Sequence, residues 1–381
     1  MLDSIARSLE PDLRRACGDR LGPIGWVRMD WQHGGALTGC ASYREPDQPP
    51  REVFVKFPVP GRELRWSRRL QSTDPPSVVP RLLASGDALG AHDIGWLVME
   101  RLPGMPLGAE WRPGNLAGTA RAGAVFQARA QAVPVDRPKR RNDWDRWLRR
   151  TARVLADNVL PEHERWSAQL RRAEAHWQGI VEHWRSREPI GWIHGDLHLG
   201  NSMRRTDGSI CLVDLGEVRP GHWLEDALYL ERMSWSHPDR LASEDPLGSM
   251  RIERERLGCE NGARIEELAM ARRILLAATT PAFLASEGGR AHLEGCLGVL
   301  ERGLDWWCDR AEGSDGVAGG GSCPRAPGGV SSRIRAGTGP DHPRRPRWPR
   351  SHPRTMNRIA SLRSSSRTSG KASSTRSSST G

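Results

Sequence analysis

Hydrophobic periodicity changes character once along this chain, near residue 113, and that change restricts the fold more than any other feature. Before it, residues 24–31 (IGWVRMDW), 36–44 (ALTGCASYR) and 52–57 (EVFVKF) alternate or run apolar in short bursts. That is the pattern of strands in an antiparallel meander. RELRWSRRL (62–70) reads as a helix, and IGWLVMERL (94–102) as a further strand with a Gly-Met-Pro turn behind it. After residue 113 the apolar positions recur at helical spacing. Residues 142–160 put Trp144, Trp147, Leu148, Ala152 and Leu155 on one stripe, and residues 163–184 continue with Trp166, Leu170, Ala173, Trp177 and Ile180. Asp143 and Asp145 stand near the first of these starts, where acids suit the helix dipole. Helical patterns return over 222–233, 265–285 and 291–307. Strands first and helices afterwards predict an α+β fold of two lobes: a small antiparallel-sheet lobe over 1–102 and a larger helical lobe over 103–311.

Two short strand signals interrupt the helical part, PIGWIH (189–194) and SICLVD (209–214), with Asp207-Gly208 between them as a hairpin turn. Each delivers an acid: Asp196 lies just past the first, and Asp214 ends the second. Asn201 follows Asp196 by five residues across a Gly-containing loop. A hairpin would carry Asp196, Asn201 and Asp214 to one end. Two carboxylates and an amide oxygen are hard ligands that suit Mg²⁺. Asp, a short spacer, Asn, then a second Asp before Gly is the kinase division of labour. One Asp takes the proton of the acceptor hydroxyl, while the Asn and the other Asp hold Mg²⁺ on the phosphates.

Composition narrows the class. No apolar run reaches eighteen residues, so no membrane span is expected, and the charged N-terminus lacks the apolar core of a secretory signal. Seven Cys form neither a Cys-x-x-Cys pair nor a zinc spacing, which suits reduced thiols in a cytoplasm. The net charge of +11 suggests nucleic acid until it is located. Residues 311–381 hold thirteen Lys/Arg against three Asp/Glu, and the rest of the chain is nearly neutral. This Gly/Pro/Ser/Arg-rich tail is too poor in aliphatics to offset its backbone entropy, so disorder is expected over 312–381. Nucleic-acid binding would rest on that tail alone.

HGDLHLGN (194–201) followed by LVDLG (212–216) resembles the aminoglycoside phosphotransferase and choline kinase-like superfamily, small-molecule kinases distantly related to protein kinases. The family's HGDxxxxN loop is matched at His194, Gly195, Asp196 and Asn201, and its DxG at Asp214 and Gly216. The resemblance implies a protein-kinase-like bilobal fold, ATP and Mg²⁺ as cofactors, Asp196 as the catalytic base, and Asn201 and Asp214 as metal ligands. It implies a phosphate-binding Lys in the first lobe, supplied by Lys56 of VFVKFP, held by Glu63 of the next helix. It also implies a hinge at VMERL, where backbone groups of Met99, Glu100 and Arg101 meet adenine.

QHGGALTG (32–39) stands where the family covers phosphate; it is not a GxGxxG, and a plain hairpin turn fits it equally. His194 is expected to orient the loop, His198 to be structural, and Asp226 to hold the loop backbone. Glu217 faces the metals, the substrate or solvent. The sixteen Trp are assigned to core packing. A protein kinase is disfavoured by Gly195 in place of Arg, Leu215 in place of Phe, and no Ala-Pro-Glu downstream.

The resemblance implies a small-molecule acceptor as partner, an antibiotic of the aminoglycoside or related class. Glu225, Glu231, Glu244, Asp245, Glu253 and Glu255 are candidates to meet a polyamine, although Arg residues interleave them. The alternatives are a metabolic kinase for a sugar, amino alcohol or amino acid, and an inactive nucleotide-binding relative. The last would need a lost motif residue, and Lys56, Asp196, Asn201 and Asp214 are all present.

Overall fold

The computed structural model describes residues 2–27, 36–71, 77–135 and 143–314. Five strands, β1 (Gly25–Val27), β2 (Leu37–Tyr43), β3 (Arg51–Phe57), β4 (Leu82–Gly86) and β5 (Trp96–Glu100), form one antiparallel sheet in the order β1-β2-β3-β5-β4. The alternation expected of β3 is present. Val53, Val55 and Phe57 are buried on one face, which leaves Lys56 on the other. The buried face packs under an N-terminal helix, α1 (Leu2–Ala16), that the strand-and-stripe reading does not contain. Its Leu9 and Leu13 join Cys17, Tyr43, Val53 and Val55 in one core, and Glu10 accepts from the Ile24 amide and the Trp26 indole. The opposite face receives α2 (Gly61–Arg69) through Leu64 against Val59 and Leu97.

The helical part comprises α3 (Asn115–Ala130), α4 (Trp144–Asp157), α5 (His163–Arg185), α6 (Leu224–Arg232), α7 (Pro238–Ser243), α8 (Pro246–Arg256), α9 (Ile265–Ala278), α10 (Leu284–Glu287) and α11 (Arg290–Ser314). The tryptophans at stripe positions 144, 166 and 177 are buried in its core. Asp143 caps α4 by accepting from the Arg146 amide, and Asp145 reaches across to accept from the Trp177 indole at 2.9 Å. The helical run expected over 265–285 breaks after Ala278, where Pro281 sits in a 3₁₀ turn. Helix α11 extends to Ser314, so 312–314 belong to a helix rather than to the expected tail, and residues 315–381 lie outside the described residues. Among the described residues no single helix is long and apolar enough to cross a membrane, and the six Cys are free thiols.

The expected hairpin is corrected. Residues 189–194 and 209–214 do not pair with each other. Strand β7 (Ser202–Arg204) pairs with β8 (Ile210–Leu212) across the Asp207-Gly208 turn, while β6 (Gly191–Ile193) pairs with β9 (Arg219–Gly221). The turn signal was placed correctly, with Gly208 at φ +85°. Its upstream partner is the short strand directly after Asn201, because residues 194–201 are used by the loop between β6 and β7.

Candidate active site

The loop from His194 to Asn201 is held from below by one carboxylate. Asp226, buried on the first turn of α6, accepts from the His194 amide through Oδ2 and the Gly195 amide through Oδ1, both at 2.9 Å. Gln127 of α3 donates to the same Oδ2 at 3.0 Å and is itself fixed by Arg254 of α8. Asp226 therefore holds the loop backbone, as expected. Gln127 escaped the sequence reading, and its signal was a lone amide inside the Ala-rich helix pattern of α3. His194 is fully buried, with Nε2 at 3.2 Å from the Val213 carbonyl, so it positions the loop and cannot meet a ligand.

The turn at Gly195 needs glycine. Its φ is +80°, and a Cβ there would sit 2.3 Å from the Glu217 carbonyl oxygen. Gly195→Ala is therefore expected to lower stability by about 2–3 kcal/mol, from the left-handed strain and the clash together. Chemical denaturation measures it, and a loss below about 0.5 kcal/mol, the level of an ordinary surface change, would contradict the loop geometry.

Asp196 projects from this loop, only 13% exposed at its side chain. Asn201 donates Nδ2 to Asp196 Oδ2 and to the Asp196 backbone carbonyl, both at 3.0 Å. Burial alone would raise the Asp196 carboxyl. Hydrogen bonding and charge from His198, with further contributions from His194 and Tyr229, outweigh burial and hold it down to about 2. It is thus an anion at neutral pH. Asp214 follows β8 at φ +61°, its side chain 43% exposed. The Val213 amide donates to the Asn201 carbonyl at 2.9 Å, which ties the two motifs together.

From the sheet, Lys56 reaches the same place. Its Nζ is 2.6 Å from Glu63 Oε1 and 3.5 Å from Asp214 Oδ1. Burial opposes the Lys56 charge, but the two carboxylates prevail and its pKa is raised. The contact joins Lys56, Glu63 and Asp214 across a strand, a helix and the segment after β8, and the Val213–Asn201 bond sets the Asp196–Asn201 pair beside that segment. Glu217 is half-buried and its carboxyl is pushed up by burial, against the pull of Arg62.

Met99, Glu100 and Arg101 lie at the end of β5, and one expectation changes there. The Glu100 amide donates to the Arg81 carbonyl at 2.8 Å, so it is not available to a base. The Glu100 carboxylate accepts from Arg205, in the β7–β8 turn, at 2.7 Å, and clamps the sheet to the helical part. Arg205 also escaped the sequence reading. Arg101 pairs with Glu52 at 2.7 Å, and Met99 stands in register with Phe54 and Leu82. Of QHGGALTG (32–39), residues 32–35 lie outside the described residues, and Leu37–Gly39 open strand β2.

The acids proposed to meet a polyamine are each engaged within the fold. Glu225 pairs with Arg187 and Arg219, and Glu231 with Arg273. Glu244 accepts from the Gly114 and Ala117 amides, and Asp245 caps α8 through the Gly248 amide. Glu253 pairs with Arg256, and Glu255 accepts from Asn261.

A loop that presents a buried carboxylate anion beside an amide, opposite a Lys-Glu pair that touches a second carboxylate, defines a kinase-type phosphotransferase. Residues 42–276 match the model of the phosphotransferase enzyme family, APH, and the chain belongs to that family. It is a small-molecule kinase with an α+β, protein-kinase-like fold. Similar solved structures include an aminoglycoside phosphotransferase from Alicyclobacillus acidocaldarius, 14% identical over 75% of this chain and 93% of that one, TM-score 0.48. A choline/ethanolamine kinase family protein from Mesorhizobium loti is 16% identical over 80% of this chain and 95% of its own, TM-score 0.45. A spectinomycin phosphotransferase, in complex with ADP and spectinomycin, is 12% identical over 78% and 93%, TM-score 0.46. No curated protein matches the chain.

Proposed function

We propose that this protein transfers the γ-phosphate of ATP to a hydroxyl of a small molecule at the Lys56–Asp214 and Asp196–Asn201 groups. The observation that carries the reading is the Lys56 ammonium set between Glu63 and Asp214, at 2.6 and 3.5 Å, beside the Asp196–Asn201 pair. In this reading Asp196 accepts the hydrogen bond of the acceptor hydroxyl and aims its oxygen at phosphorus. Its low basicity suits a loose transition state, in which the hydroxyl proton leaves late. Lys56 neutralises phosphate charge, Glu63 keeps the ammonium in place, and backbone groups of Met99 and Arg101 at the end of β5 meet the adenine edge. The rate gain comes from positioning and electrostatics.

The donor set fits Mg²⁺. Among the described residues no cluster of three or more His, Cys, Asp or Glu could hold a metal by itself. An Asn oxygen and one carboxylate suit an ion that keeps waters and takes its other ligands from phosphates. Asn201 and Asp214 would hold it, and when bound it supplies charge neutralisation on the phosphates.

Lys56→Met is expected to lower kcat/KM for ATP by about 10²-fold, the scale for removing one preorganised charge donor. It would leave Glu63 buried without its cation, so the double variant Lys56→Met, Glu63→Gln is expected to recover stability without activity. Steady-state ADP release and a thermal melt separate the two effects. Wild-type kcat/KM in the single variant would remove Lys56 from the site.

For the acceptor, the family resemblance supports an antibiotic of the aminoglycoside or related class, inactivated by phosphorylation. A second reading, a metabolic kinase for a sugar, amino alcohol or amino acid, is favoured by one observation. All six candidate acids of the helical part already serve as helix caps or ion-pair and hydrogen-bond partners. ADP release by the full chain with MgATP, against aminoglycosides, spectinomycin, choline, homoserine and sugars, decides between them. Turnover on an antibiotic, with resistance conferred on a sensitive host, supports the first reading; turnover confined to neutral metabolites supports the second. ATP binding without turnover on any of them would count against both.

A further inference from the structure

An aspartate side chain at the mouth of a loop is not fixed by that loop alone. Its terminal torsion is broad and nearly two-fold, so the carboxylate plane must be held by neighbours. Asn201 supplies one contact, at 3.0 Å to Oδ2. Two more side chains converge on the same carboxylate. His198 directs Nε2 at Asp196 Oδ2 from 3.7 Å, and Tyr229 hydrogen-bonds to the Asp196 side chain. The two rings meet edge to face, with centroids 6.1 Å apart.

The tautomer of His198 follows from its other nitrogen. Nδ1 accepts from the Gly200 amide at 3.0 Å, so the ring proton of the neutral imidazole lies on Nε2, toward Asp196. The ring lies so close over Gly200 that a Cβ there would meet Cε1 at 2.7 Å. Tyr229 stands three residues after Asp226 on α6, hence on the same helix face. That face thus grips the loop twice, through the amides of His194 and Gly195 and through the side chain of Asp196.

We infer that His198 and Tyr229 are positioning residues for phosphotransfer, holding the Asp196 carboxylate in the orientation that meets the acceptor hydroxyl. The inference rests on the phosphotransfer reading of the same site. Misplacing a reacting group by about 1 Å costs up to about 10²-fold in rate. The effect belongs in kcat and leaves ATP affinity alone, because neither residue joins the Lys56–Glu63–Asp214 group.

His198 permits a test that separates positioning of Asp196 from support of the loop. His198→Gln keeps an N–H donor near the position of Nε2 and loses the acceptor for Gly200. His198→Asn keeps that acceptor at the start of the turn and loses the reach to Asp196. The probe is ADP release by the full chain from saturating MgATP with water as acceptor, together with KM for ATP and a thermal melt. Positioning predicts that His198→Asn and Tyr229→Phe each lose about tenfold or more in kcat with KM for ATP within about twofold, and that His198→Gln recovers most of the loss. The reverse order, Asn active and Gln impaired, would assign His198 to loop structure and overturn the inference. Unchanged kcat in Tyr229→Phe would overturn it for that residue. Wild-type protein that binds MgATP yet releases no ADP with water or with any acceptor of the panel would instead overturn the phosphotransfer reading, and this inference with it.

Discussion

Asp196→Ala is expected to lower phosphotransfer turnover by roughly 10²–10⁴-fold while leaving ATP binding within about twofold of wild type, the scale of a positioned acid–base group. The asymmetry follows from the geometry. Asp196 touches Asn201, His198 and Tyr229, whereas the Lys56 ammonium is shared by Glu63 and Asp214. Removing the carboxylate therefore takes away the partner of the acceptor hydroxyl and spares the cation that faces the nucleotide. Asp196→Asn keeps the volume and loses the charge, and is expected to be nearly as inactive. Single-turnover ADP formation and equilibrium ATP binding, measured on the same samples, check both halves. Turnover within about twofold of wild type in Asp196→Ala would remove the residue from the mechanism.

Asp226→Ala is expected to cost about 3–6 kcal/mol of folding stability from the two backbone amides alone, at about 1.5–3 kcal/mol for each hydrogen bond to a charged acceptor. The residue is buried, and its two oxygens take three donors: the amides of His194 and Gly195 and the Gln127 side chain. Alanine would leave all three without their partner. Against a typical total of about 5–15 kcal/mol, such a loss brings the protein near unfolding. Asp226→Asn retains one acceptor oxygen and is expected to fall between wild type and alanine. Urea unfolding with a common m-value measures the series. A cost below about 1 kcal/mol for alanine would show that Asp226 does not hold the loop.

Much of this was legible in the chain. Strand alternation in EVFVKF placed Lys56 on the face opposite Val53, Val55 and Phe57, and the stripe through Trp144, Trp166 and Trp177 marked the core of the helical part. Local chemistry was readable because each signal is local: Asp143 and Asp145 as acids at a helix start, Asp207-Gly208 as a turn. Pairing was not. The Asp207-Gly208 turn joins β7 to β8, and β6 waits for β9, because strands of three residues carry too little pattern to select their partners.

Residues that act through another residue were also hidden. Gln127 and Arg205 gain meaning only from Asp226 and Glu100, which lie 99 and 105 positions away. The acids of the helical part show the converse. The family resemblance made them candidates to meet a polyamine, and the fold spends them on Arg partners, amides and helix caps. Helix α1 was readable in principle from Ala6, Leu9, Leu13 and Cys17, whose spacing is helical, but its many charges masked the stripe.

The most direct test is transfer of label from γ-labelled ATP to a hydroxyl acceptor by the full chain, with Asp196→Ala beside it. The account predicts Mg²⁺-dependent labelling of at least one acceptor by the wild type, lost in the variant although it still binds ATP. Equal labelling by both proteins, or ATP binding that labels no acceptor and releases no ADP, would contradict it.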